Sequence, residues 1–217
     1  FRGIQDDYMR GKKTDYFESS RRAARVQQQY AIENPLKFDG YGAKCWGITA
    51  SDGPGPAKRT IKGQEREFFD YIARGGPDGP DDGTIAPWAV IASLPFAPEI
   101  VLSTLDYFEE LKLRANNPYG FKATFNTTFT GHSDPSHSWV SPFHYGLNQG
   151  PIVLMIENYR SGLLWQLLRQ CPYLVTGLRR ADFRGGWLGE NNEKVRAKTG
   201  PKMNLRVLSE RSDGSPR

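Results

Sequence analysis

Two cysteines, three histidines and no apolar run of membrane-spanning length leave this 217-residue chain little room for several common chemistries. Cys45 and Cys171 stand in no metal-like spacing. Cys45 precedes Trp46 and Cys171 precedes Pro172, so both read as inert thiols in buried surroundings, with a disulfide left open for an exported protein. The histidines, His132, His137 and His144, share one turn-rich stretch, and a solvated loop explains them more simply than a metal site. Glycine-rich phosphate loops, helices with paired histidines and G-x-S-x-G elbows are all missing. The expectation is a protein without metal or cofactor. Repeats, low complexity and a visible signal peptide are also absent, and the chain opens on Phe1, as a processed or shortened N-terminus would.

Charge excludes less than its total suggests. The net charge is +5, but residues 190–217 carry seven Lys/Arg against four Asp/Glu, which is +3 of it. Such a basic polar end is expected to be a flexible tail, and the remainder is close to neutral. A nucleic-acid groove is not expected from that balance.

What the chain does have is aromatic residues, 12% of the total, with five Trp and ten Tyr. Aromatics with a polar edge suit sugar or base faces as well as cores. They gather around the stretch DDGTIAPWAVIASLPFAPE, Asp81 to Glu99. Two acids and a glycine form a tight polar loop there. An apolar run broken by Pro87, Pro95 and Pro98 follows, predicting a short buried helix over Pro87–Leu94 and a second helix starting near Pro98. The second continues amphipathically to about Arg114. Asp81, Asp82 and Thr84 thus stand at the mouth of a buried element.

Elsewhere, Asp15 is placed to cap a helix that runs to about Glu33 and ends at Asn34-Pro35. Residues 40–56 are glycine-rich and irregular, carrying Trp46 and Asp52. A short helix is expected through Glu65–Ala73, and a strand pair around Phe121–Phe129. Gly150-Pro151 opens a helix that is apolar nearly all round and should therefore be central. Within it Glu157 and Arg160 read as a structural ion pair, with Arg21 and Arg22 able to approach. A last short helix covers YLVTGLRRADF.

The remaining chemistry is a set of acids at loop–helix junctions beside aromatics. Asp52 lies near Trp46, Asp82 near Trp88, and Asn148-Gln149 beside His144 and Tyr145. Carboxylate pairs act as acid and base on glycosidic bonds, and aromatic faces stack on sugar rings. Asp52 and Asp82 are the candidate catalytic pair. Trp46, Trp88, His144, Tyr145, Asn148 and Gln149 are the candidate glycan contacts. Turn formation and helix capping are the competing structural roles for both acids.

FRGIQDDYMR, DYFESSRRA, YGAKCWGITASDGP, PDGPDDGTIAPWAVIASLPFAPE and HYGLNQGPIVLMIENYRSGLLWQLLR resemble the glucoamylase-like (glycoamylase) domain family of bacteria. That family includes the endo-β-1,2-glucanases of glycoside hydrolase family 144 and is related to a domain of cyclic β-1,2-glucan synthases. The resemblance covers residues 1–189 and corresponds to the C-terminal part of the family domain. It implies a mainly α fold, part of an (α/α)6 toroid, with long glycine-rich, aromatic loops lining the cleft. It also implies a β-linked glucan as substrate, β-1,2-glucan above all, hydrolysed with inversion by two carboxylates. A periplasmic or extracellular location follows from the same resemblance, as does a missing N-terminal part of the toroid, or another chain, as partner. One position departs from the family's G-x-D-Q-G-P motif: Asn148 replaces the acid, and an amide cannot act as a general base. A non-catalytic glycan-binding domain and a transglycosylase module of a larger synthase are the alternative readings.

Overall fold

The computed structural model describes residues 2–114, 117–130 and 138–189. The tail 190–217, His132 and His137 lie outside the described residues. Helices α1 (Asp7–Gly11) and α2 (Tyr16–Glu33) begin the chain. Asp15 caps α2 as expected, accepting from the Glu18 amide at 2.7 Å, and Asn34 ends it in the left-handed conformation. Ala24, Tyr30 and Ala31 face the core, while Ser20 and Ala23 are exposed.

The short buried helix α3 (Pro87–Ala92) and its successor α4 (Pro98–Glu110) both start on proline. Proline at a first helical position wastes no hydrogen bond and presets φ. Between them Leu94 and Ala97 are buried, so the proline-broken run stays in the core. Trp46, Ile48, Ile85, Val90, Val101, Phe108 and Phe125 form the centre of that core. Phe125 meets the Phe108 ring edge-on at 5.3 Å. Gly47 reaches φ +117° here, where a Cβ would stand 2.6 Å from a Val90 methyl. The tight approach lets Ala86 N–H donate to the Gly47 carbonyl at 3.0 Å.

Residues 57–68 overturn the helix expected over Glu65–Ala73. They form an antiparallel hairpin, β1 (Ala57–Ile61) with β2 (Gln64–Phe68). Lys62 and Gly63 both have positive φ, as the two-residue type I′ turn requires. Tertiary contacts fix the pair: the Arg59 guanidinium lies 3.8 Å from the Phe129 ring centre, and Arg66 lies 4.8 Å from that of Phe38. The expected strand pair is a three-stranded sheet instead, in the order β3 (Thr84–Ile85), β4 (Phe125–Thr130), β5 (Ser138–Val140).

Helix α5 (Gly146–Arg160) begins four residues before the Gly150-Pro151 start expected for it, and Pro151 sits inside it. A break at Ser161-Gly162 leads into α6 (Leu163–Gln170), and α7 (Pro172–Arg180) follows. Helix α3 packs on α4 and α5, and α6 packs between α5 and α7. The expectation that α5 and α6 lie centrally is not met. Leu147, Val153, Leu154 and Tyr159 of α5 are exposed, as are Leu163, Leu167 and Leu168 of α6. Their apolar character is real, but in this chain only one side of each helix finds a partner. No described helix is long and apolar enough to cross a membrane.

Candidate active site

Asp82 and Arg74 form the most buried charge pair among the described residues, with both side chains at zero exposure. Arg74 Nε donates to one carboxylate oxygen and Nη2 to the other, each at 2.8 Å. Nη1 reaches the Ser51 carbonyl at 2.5 Å, and Nη2 also donates to the Phe69 and Asp70 carbonyls. Asp82 accepts further from the Phe69 and Thr84 amides. Burial alone would raise its pKa, but the guanidinium and these amides outweigh that and hold it below the ordinary carboxylate range. A carboxylate with this many donors and no exposure has little freedom to exchange a proton with substrate. Asp82 is thus a hub joining residues 51, 69–70, 74 and 84. Asn126 extends the hub, donating to the Asp82 carbonyl at 2.9 Å and accepting from the Thr128 and Phe129 amides.

Its neighbour Asp81 is held by hydroxyls. Tyr41 and Tyr30 donate to its two oxygens at 2.8 and 3.0 Å, and the Gly83 amide adds a third bond. No cation among the described residues offsets its burial, and its pKa is raised. Burial beside that charge pushes the Tyr30 hydroxyl up to about 12.

Asp52 is buried, and its donors are two hydroxyls: Thr124 Oγ1 at 3.0 Å on one oxygen and Ser141 Oγ at 2.5 Å on the other. Its loop presses on the Arg74 hub, because a Cβ at Gly53 would fall 2.1 Å from Arg74 Nη2. From the other side comes the segment that enters α5. Exposed Tyr145 stands on that segment, and burial, then the charges of Asp52 and Asp70, raise its pKa. His144 lies on the same segment, with Nε2 2.8 Å from the Asn117 amide nitrogen, and burial and Lys122 depress its pKa. Asn148 is buried in the first turn of α5 and Gln149 is half-buried beside it. Ser141, whose hydroxyl binds Asp52 and accepts from the Phe143 amide, ties the carboxylate to the segment that enters α5.

Other expected positions fall elsewhere. Trp46 is 1% exposed and donates its indole N–H to Thr104 Oγ1 at 2.8 Å, so it is core and has no face to offer a sugar. Trp88 is half-buried, and its indole N–H has no partner among the described residues. Glu157 accepts from Ser161 Oγ instead of pairing with Arg160, and Arg21 and Arg22 bind Glu18. The residue that ties α5 to α6 is Asn158, whose side chain accepts from the Trp165 amide at 3.2 Å. Cys45 is buried and its thiol pKa is pushed up to about 12, as an inert core thiol requires, whereas Cys171 is only half-buried. No group of three metal-ligating side chains occurs among the described residues.

Arg74, Thr124 and Ser141 escaped the sequence reading. Arg74 is the one basic residue between the hairpin and the paired acids, which is the only local hint of its role. Two clefts, of about 470 and 240 Å³, share Arg2, Phe17 and Pro95 and run along α2 and α6. Neither touches the three acids.

The chain is mostly helical and superposes on solved glucanases, which gives the class: part of an (α/α) toroid-type glycoside hydrolase fold. Residues 1–172 match the Glycoamylase family model, and the chain belongs to that family. It is 35% identical over 179 residues to the exo β-1,2-glucooligosaccharide sophorohydrolase (non-reducing end) of Parabacteroides distasonis, covering 82% of this chain and 22% of that protein. A solved structure from Bacteroides uniformis superposes with a TM-score of 0.69 at 39% identity, covering 86% of this chain and 39% of the other. The endo-β-1,2-glucanase of Chitinophaga pinensis, solved with sophorotriose and glucose, gives 0.66 at 31% identity over 86% and 38%. The chain therefore spans about a fifth of its curated relative and about two fifths of these solved structures.

Proposed function

We propose that this chain forms part of a glycoside hydrolase that cleaves β-1,2-linked glucan, and that Asp52 is the catalytic carboxylate it contributes. The observation that carries the residue assignment is the environment of Asp52: a buried carboxylate bound only by hydroxyls among the described residues, one of them on the segment that leads to exposed Tyr145. Each carboxylate oxygen has two lone pairs, so one hydroxyl on each leaves acceptor capacity for a water. In the inverting scheme that water loses a proton to Asp52 as it attacks the anomeric carbon. A second carboxylic acid, roughly 6.5–9.5 Å away, protonates the leaving oxygen. That acid is assigned to polypeptide beyond this chain, since Asp82 is fully committed to Arg74. The glucan is placed along Tyr145, His144 and Gln149 at the start of α5, with Trp88 at its edge.

The same reading gives the exposed faces of α5 and α6 a partner. They pack against further polypeptide that completes the toroid, in keeping with relatives more than twice as long as the matched region.

The test is release of oligosaccharides from β-1,2-glucan by the natural full-length protein. Asp52→Asn is expected to abolish release while leaving the protein folded. Undiminished release by that variant overturns the assignment. Asn148 favours one competing reading, a glycan-binding domain without turnover. It predicts that the wild-type protein retains glucan and releases nothing.

A further inference from the structure

We infer that Thr124 and Ser141 are positioning residues that hold Asp52 in its reactive orientation, an inference resting on the catalytic role proposed for that carboxylate. Asp52 sits in an irregular glycine-rich loop, which by itself fixes no side-chain torsion. Its orientation is set from two other parts of the chain. Thr124, just before β4, donates its hydroxyl to Asp52 at 3.0 Å, and the same oxygen lies 3.1 Å from the Asp52 carbonyl. Ser141, just after β5, donates to the other carboxylate oxygen at 2.5 Å. The two donors are themselves registered, because the Ser141 amide donates to the Thr124 carbonyl at 2.9 Å. Both residues are 1% exposed, so bulk solvent has little access to either hydroxyl.

Ser141 does a second thing. Its hydroxyl oxygen accepts from the Phe143 amide at 3.2 Å, and the Ala123 amide donates to the Phe143 carbonyl at 3.2 Å. One hydroxyl therefore joins Asp52 to the turn that delivers His144 and Tyr145 into α5. The carboxylate and the proposed glycan-facing side chains are set by the same short piece of sheet edge. A rotation of Asp52 away from its water would follow from losing either donor, and small misplacements of a reacting group cost up to about a hundredfold in rate.

Thr124→Val keeps the shape and removes the donor, whereas Thr124→Ser keeps the donor and removes a methyl. In the natural full-length protein acting on β-1,2-glucan, Thr124→Val is expected to lower kcat by about 10- to 100-fold with KM unchanged. Thr124→Ser is expected to stay within about threefold of wild type by the same kcat measure. Ser141→Ala should lower kcat like Thr124→Val and also raise KM, because it frees the turn bearing Tyr145. A wild-type kcat in Thr124→Val, with Asp52→Asn inactive, overturns this inference and leaves the role of Asp52 standing. Equal losses in the Val and Ser variants, accompanied by a lowered melting temperature, also overturn it, since packing alone would then account for them. Full activity in Asp52→Asn removes both conclusions together.

Discussion

Arg74 and Asp82 set the strongest expectation at the level of single residues. Replacing Arg74 by Met would leave the Asp82 charge buried with two amides but no cation. Breaking one side of such a pair costs about 3–5 kcal/mol, which denaturant unfolding would read directly. The two neighbouring acids also make opposite contributions as pH falls. Asp82 is depressed in the folded state, so its contribution is full above the unfolded carboxylate value of about 3.9 and is lost as pH drops further. Asp81 is raised, so its charged form weakens the fold near neutrality, and acidification through its folded value relieves that cost. Stability measured from pH 7 downward should therefore gain from Asp81 first and lose from Asp82 below about pH 4. In Asp81→Asn the early gain is expected to vanish while the later loss remains. The identities of these acids were legible in the sequence as loop residues, but their division of labour was not. It depends on where a guanidinium eight residues upstream ends up.

Helices were read well where their ends carry local chemistry. Asp15 and Asn34 bracket α2, and prolines open α3 and α4, because capping and φ restriction act within one turn of chain. Asp15→Ala should lower stability by about 1 kcal/mol in thermal or chemical unfolding, since the side chain also accepts from the Gly3 amide at 2.7 Å. The hairpin is not legible locally, for the complementary reason. Glu65, Arg66 and Glu67 favour helix on propensity, a weak preference that tertiary contacts override. Cross-strand pairing and the two arginines laid on Phe129 and Phe38 decide the matter, and none of those partners is local. The Lys62-Gly63 turn was the available signal. In α5, Pro151 suggested a helix start, although the helix continues through it from Gly146.

For the molecule as a whole, Leu147, Val153 and Leu154 of α5 and Leu163, Leu167 and Leu168 of α6 are exposed, and apolar faces of this kind mark interaction or aggregation surfaces. Produced alone, residues 1–217 are expected to bind a hydrophobic dye or to self-associate. Val153→Lys with Leu167→Lys should reduce both, and the natural full-length protein should show neither; dye fluorescence and sedimentation would check this. A chain alone that stays monomeric and dye-silent would speak against further polypeptide packing on these faces. Apolar periodicity by itself determined that the stretch 151–170 is helical, expected as one helix, and local caps and prolines determined where α2, α3 and α4 begin. Clustered motifs pointed to the family. Only the tertiary structure decided that Trp46 is core, that Asp82 is paired with Arg74 and that Asp52 is bound by two hydroxyls. Those outcomes turn on partners 58, 8, and 72 and 89 residues distant in sequence. Local patterns encode backbone shape, whereas the use of a buried polar group is set by whichever donors the fold brings to it.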